Sequence, residues 1–95
     1  MAGYCITAPA EQDVLDIWLY IARDNIHAAD RLVDRFTETF ERLAENPHMG
    51  ESVERYRPGL RCFSLGNYVV YYRMADKGIE VYRVLHGARR AEDHL

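Results

Sequence analysis

Lysine is nearly absent from this sequence: eleven of its twelve basic residues are arginine, and Lys77 alone is lysine. The excess favours the planar, permanently charged side chain suited to buried pairs and interfaces, although a GC-rich genome gives the same bias. Cysteine is scarce as well. Cys5 and Cys62 stand alone, with no companion at metal-ligand spacing, and both read as reduced, small core hydrophobes. No apolar run approaches the ~20 residues of a membrane-spanning helix. The N-terminal stretch MAGYCITAPAEQ lacks the basic and apolar regions of a secretory signal, so a cytoplasmic location is the default. Also missing are a Gly-rich phosphate loop, an H-E-x-x-H zinc motif and a Ser/His/Asp set in recognisable context, so no metal or cofactor is expected. The formal charge of −3 argues against nucleic-acid binding by electrostatics alone, which grows with the number of phosphates neutralised.

What is present suits one domain over residues 1–95. The chain has 48% apolar and 28% charged residues, enough for a single modest core and too few residues for a second. Tyr4 to Thr7 reads as a short strand. Thr7 is then placed to cap a helix with Pro9 in its first turn, where a missing N–H costs nothing. Val14, Ile17, Trp18 and Ile21 fall at i, i+3, i+4 and i+7, an amphipathic helix ending near Asp24, with Trp18 as a core anchor. Asn25 is the candidate cap of a second helix, whose stripe runs Ala29, Leu32, Val33, Phe36, Phe40, Leu43 and Ala44. Asp30, Asp34, Glu38, Glu41 and Glu45 make its solvated face. So short a connection folds the two helices into an antiparallel hairpin, and Pro47 and Gly50 end it.

Residues from about Met49 to Gly59 read as a crossing loop. Beyond it the pattern alternates with period two in Leu60–Leu65, Tyr68–Met74 and Ile79–His86, separated by Gly66-Asn67 and Ala75-Asp76-Lys77-Gly78. These segments form a three-strand antiparallel meander. The predicted fold class is therefore α+β: a strand, a helical hairpin and the meander, with the helices packed on one face of the sheet.

Charge is distributed unevenly along the chain. Residues 1–50 carry nine acidic and four basic side chains, whereas residues 51–95 carry six acidic and eight basic. Arg61, Arg73 and Arg83 lie on three successive predicted strands beside Tyr68, Tyr71, Tyr72 and Tyr82. A sheet face left open by the helices would combine guanidinium and aromatic groups, the pairing enriched at interface hot spots. Whether the arginines share that face depends on strand register.

Five strings then occur in order: Asp16-Ile17-Trp18-Leu19-Tyr20-Ile21-Ala22, Asn46-Pro47-His48-Met49-Gly50, Arg57-Pro58-Gly59-Leu60-Arg61, Tyr68-Val69-Val70-Tyr71-Tyr72-Arg73 and Arg83-Val84-Leu85-His86-Gly87-Ala88-Arg89. Over nearly the whole chain they resemble the ParE toxins of bacterial type II toxin–antitoxin modules, within the RelE/ParE superfamily. The resemblance implies neutralisation by ParD, a ribbon–helix–helix antitoxin, in a toxin–antitoxin hetero-oligomer. It also implies DNA gyrase as the target, inhibited by binding and without direct sequence-specific nucleic-acid binding.

The RelE branch of the superfamily cleaves messenger RNA on the ribosome, which makes an endoribonuclease the alternative; a toxin-derived module without poison activity is a second. RNA cleavage needs a proton acceptor, a proton donor and positive charge beside the phosphate. Arg61, Arg83 and Arg89 offer the charge, and His86 and His94 the titrating groups. His86 reads as structural, however, and the segment Arg89-Arg90-Ala91-Glu92-Asp93-His94-Leu95 lacks the tyrosine typical of RelE-like nucleases. Arg90 stands where many ParE relatives have aspartate. The expectation is a non-enzymatic toxin whose target or antitoxin contacts fall on Arg61, Arg73, Arg83, His86, Arg89 and Arg90.

Overall fold

A computed structural model describes residues 3–95. Strand β1 (Gly3–Ile6) leads directly into helix α1 (Ala8–Ala22). The Thr7 hydroxyl makes that junction by accepting the Ala10 N–H and donating to the Tyr82 carbonyl. Helix α2 (Ile26–Glu45) starts at Asn25, whose side chain accepts the Ala28 N–H. Both caps satisfy backbone donors that the first turn of a helix leaves without partners. A 3₁₀ turn over Pro47–Met49 ends the hairpin.

Strands β3 (Arg61–Leu65), β4 (Tyr68–Ala75) and β5 (Gly78–His86) form the expected antiparallel meander. Residues Glu51–Ser52, expected in a loop, form a two-residue edge strand, β2, paired with Cys62 and Arg61. So brief a pairing carries no period for a sequence pattern to reveal. The sheet order is β1-β5-β4-β3-β2, with β1 parallel to β5 and the other pairs antiparallel. No helix of the described residues is long and apolar enough to cross a membrane.

The helices pack on one face, where Phe36, Leu43, Tyr72, Ile79, Val81 and Val84 are almost wholly buried. Aromatic edges knit this layer together, with Tyr4 against Phe40 at 5.3 Å and Phe36 against Tyr68 at 5.6 Å between ring centroids. Geometry of this kind adds ~0.5–1.5 kcal/mol per pair beyond area burial.

The opposite face is not open. Tyr71 and Leu85 lie there in a second cluster with Val53, Leu60 and Ala91, flanked by Tyr56, Tyr82 and Leu95. The segment 53–60 and the tail therefore cover the surface that the sequence left bare, because apolar residues on both sides of the strands need cover. The cysteines and Trp18 also differ from expectation. Cys5 is exposed on an edge strand and Cys62 only half-buried. Trp18 is half-buried and its indole N–H reaches the Asp30 carboxylate at 2.8 Å, which ties α1 to α2 instead of anchoring helix to sheet.

An irregularity in the β4–β5 register decides where the last strand points its side chains. Tyr71 pairs with Arg83 but Tyr72 pairs with Val81, so Tyr82 is an extra residue. A bulge of this kind shifts the alternation by one. Ile79 and Val81 face the helices; without the bulge Arg83 would follow them, whereas here Val84 does, with 1% exposure.

Candidate interaction site at the end of the last strand

Arg83 stands where α1, β5 and the C-terminal tail meet. Its Nε and Nη2 donate to the two carboxylate oxygens of Asp13 at 2.6 and 2.8 Å. Its Nη1 donates to the His94 carbonyl at 2.9 Å. Asp13 has a second duty: Oδ2 accepts the Val84 N–H at 3.0 Å. The pairing of β1 with β5 stops at Val81, so that N–H has no strand partner and a helix carboxylate takes the place of one. The side chains are 20% and 13% exposed, a mostly buried pair. Hydrogen bonding to Asp13 holds the Arg83 guanidinium above its ordinary value, against the opposing effect of burial. Removing one member of such a pair costs about 3–5 kcal/mol because the other charge is stranded.

The remaining expected site residues do not converge. Arg61 pairs with Tyr72 across the strands, and its Nη2 donates to the Gly50 carbonyl at 2.5 Å and reaches the His48 carbonyl at 3.4 Å. Its Nε is buried without a hydrogen-bond partner among the described residues. Arg73 forms an exposed 2.7 Å pair with Glu80, its cross-strand neighbour, and lies 5.6 Å from the Tyr82 ring centroid. His86 sits edge-on to Tyr68 at 5.4 Å, and its Nδ1 accepts the Ala88 N–H at 3.1 Å. It braces the turn after β5, a structural role. The side chain of Arg89 is exposed, and Arg90 pairs with Glu92 at 3.0 Å. The Glu92 carboxyl is held below its ordinary range by its own backbone N–H first and by Arg90 second. Arg61 and Arg83 are thus bound into the fold, whereas Arg73, His86, Arg89 and Arg90 lie at the surface.

Residues that pattern reading passed over complete the arrangement. Asp13 carries no local signal that sets it apart from other acidic residues on a helix, and only its contact across 70 positions reveals its role. In the crossing segment, Arg57 Nε donates to the Leu95 carbonyl at 2.9 Å, with its guanidinium 5.2 Å from the Tyr82 ring centroid. Arg55 lies over Tyr56 at 4.7 Å. The string Arg55-Tyr56-Arg57 alternates charge with an aromatic, and that alternation was the available signal. No cluster of three metal-ligating side chains occurs among the described residues.

A second surface feature lies on the helical layer. Between α1 and α2, at the end of β1, a groove of about 570 Å³ is lined by Tyr4, Ile6, Val14, Leu15, Trp18, Val33, Phe36 and Phe40, with Glu11 and Gln12 at its edge. Leu15 and Leu19 on the outer side of α1 remain about half exposed, at 49% and 51%.

Two helices packed on one face of a mixed sheet in the order β1-β5-β4-β3-β2 define a RelE/ParE-like α+β fold. A chain of the chromosomal ParDE TA system from P. aeruginosa superposes with a TM-score of 0.73 at 21% identity, covering 90% of this chain and 96% of that one. A chain of the toxin–antitoxin complex RelBE2 from Mycobacterium tuberculosis gives 0.61 at 22% identity, with the same coverage. Sequence narrows the class. The family model described as ParE toxin of type II toxin-antitoxin system, parDE, matches residues 4–91. Toxin ParE1 of Caulobacter vibrioides is 35% identical over 96 residues, spanning 100% of this chain and 99% of the relative. Toxin ParE1 of Mycobacterium tuberculosis is 31% identical over 85 residues, 87% of each chain. The chain belongs to the ParE toxin family of type II toxin–antitoxin systems.

Proposed function

We propose that residues 1–95 act as a single toxin domain in the cytoplasm, neutralised by a ParD-like antitoxin and, when free, inhibiting DNA gyrase by binding and not by catalysis. The observation that carries the non-enzymatic reading is the commitment of Arg61 and Arg83. An RNA-cleaving site would place these cations beside the scissile phosphate, yet one is bonded to backbone carbonyls and the other to Asp13 and the tail. Charge already engaged in the fold is a poor stabiliser of charge that develops only in a transition state. Surface positions remain for Arg73, His86, Arg89 and Arg90, and Arg57 shares the Tyr82 ring with Arg73. The groove between the helices suits an antitoxin, because an apolar helix face laid into it would cover Leu15 and Trp18.

The deciding experiment gives the free protein to purified gyrase and, separately, to translating ribosomes. Lost supercoiling or trapped DNA breaks in the first assay, with intact messenger RNA in the second, is the expected result. Cleaved messenger RNA would overturn it in favour of an endoribonuclease, and inertness in both with antitoxin binding retained would leave a module without poison activity.

A further inference from the structure

The C-terminal tail is held from two directions. Arg83 reaches the His94 carbonyl from β5, and Arg57 reaches the Leu95 carbonyl from the crossing segment. Ala91, 8% exposed, and Leu95 insert into the cluster with Tyr71 and Leu85. Between the end of β5 at His86 and the inserted Ala91, Arg89 and Arg90 are exposed on a short, turn-rich path in which the Arg89 N–H bonds the His86 carbonyl at 2.9 Å. The guanidinium of Arg83 is already divided between Asp13 and His94, so little of it is left to offer a partner.

We infer that Asp13 and Arg83 form a latch that sets the position of residues 87–95, and that Arg83 serves target binding through the tail as a positioning residue. The inference rests on the reading of this chain as a toxin that acts by binding. Two bonds from one planar fork fix the guanidinium against α1, and its third nitrogen then fixes the His94 carbonyl. Helix α1 and the tail are thereby held in one register, and Arg89 and Arg90 are presented at a set place. A lysine at 83 would keep the charge but has a single ammonium, which does not reproduce the fork that spans carboxylate and carbonyl.

The test compares Asp13→Asn, Arg83→Lys and their double variant with the wild-type chain, reading growth inhibition, affinity for purified gyrase and amide exchange at His94 and Leu95. Asparagine keeps the shape of Asp13 and an acceptor for the Val84 N–H, and thermal unfolding checks that every variant is folded at the assay temperature. The expected result is a loss of affinity of about tenfold or more in each single variant, in step with tail exchange faster by a similar factor, as for a lost charge-assisted hydrogen bond. The double variant should be no worse than either single one, since both break the same latch. Asp13→Glu, which restores the carboxylate, should recover part of the loss.

Full inhibition by Asp13→Asn alongside failure of Arg83→Lys would overturn the inference and make Arg83 a direct contact. Unchanged tail exchange in both would overturn the latch itself. A wild-type chain that neither binds gyrase nor slows growth would instead sink the toxin reading, and tail exchange would still decide whether the latch exists.

Discussion

Tyr72→Phe is the most direct probe of how the helical hairpin is joined to the sheet. Tyr72 is fully buried, its hydroxyl donates to the Pro47 carbonyl at 2.7 Å and accepts the Gly50 N–H at 2.9 Å. One phenol therefore fixes both ends of the 3₁₀ turn after α2. The turn packs closely on the sheet: a Cβ on Gly50 would lie 2.5 Å from the Cys62 carbonyl oxygen. Phenylalanine keeps the ring and its packing but leaves the buried Gly50 N–H without a partner. An unsatisfied buried donor costs ~1–3 kcal/mol, and the lost bond to Pro47 adds up to ~1 kcal/mol. The expected loss is about 2–3 kcal/mol, which in a domain of this length lowers Tm by roughly 10–20 °C. Urea unfolding should show the midpoint falling by roughly 1–2 M at unchanged slope. Tyr82→Phe, which keeps the ring beneath Arg57 and Arg73, is the control and should stay within about 0.5 kcal/mol of wild type. If Tyr72→Phe behaved like the control, the assignment of the turn's anchoring to that hydroxyl would be wrong.

Two other perturbations address the groove and the response to pH. Leu15→Glu places a charge on a half-exposed wall position, so it should change stability by less than about 0.5 kcal/mol while weakening antitoxin affinity at least about tenfold. Calorimetric titration with the antitoxin decides it, and undiminished affinity would move the docking surface elsewhere. Burial raises the Cys62 thiol, with the Glu51 charge adding to it, and burial likewise raises the phenols of Tyr68 and Tyr71. A group raised in the folded state contributes its full stability below its unfolded pKa and loses it as pH climbs through the folded value. Stability should therefore decline from about pH 8.5 upward, first through Cys62 and then through the tyrosines. Urea midpoints measured from pH 7 to 10.5 test this, and Cys62→Ala should flatten the first part; a level profile would contradict it.

The sequence by itself determined the elements and their order, because those rest on local chemistry. Thr7 and Asn25 are caps wherever the chain goes, the stripe from Ala29 to Ala44 has a period no strand can use, and the three alternating segments admit only strands. The five strings that marked the ParE resemblance are likewise local, and the family match over residues 4–91 agrees with them. Tertiary structure decided what each arginine does. The extra residue Tyr82 sets which way Arg83 points, and the end of β1 at Ile6 leaves the Val84 N–H for Asp13 to accept. The two-residue strand β2 and the cover over the second sheet face likewise depend on segments that meet only after folding. Periodicity assigns a face to a residue within its own element. A salt bridge across 70 positions is set by register, bulges and strand ends, none of which leaves a mark in a window of neighbouring residues.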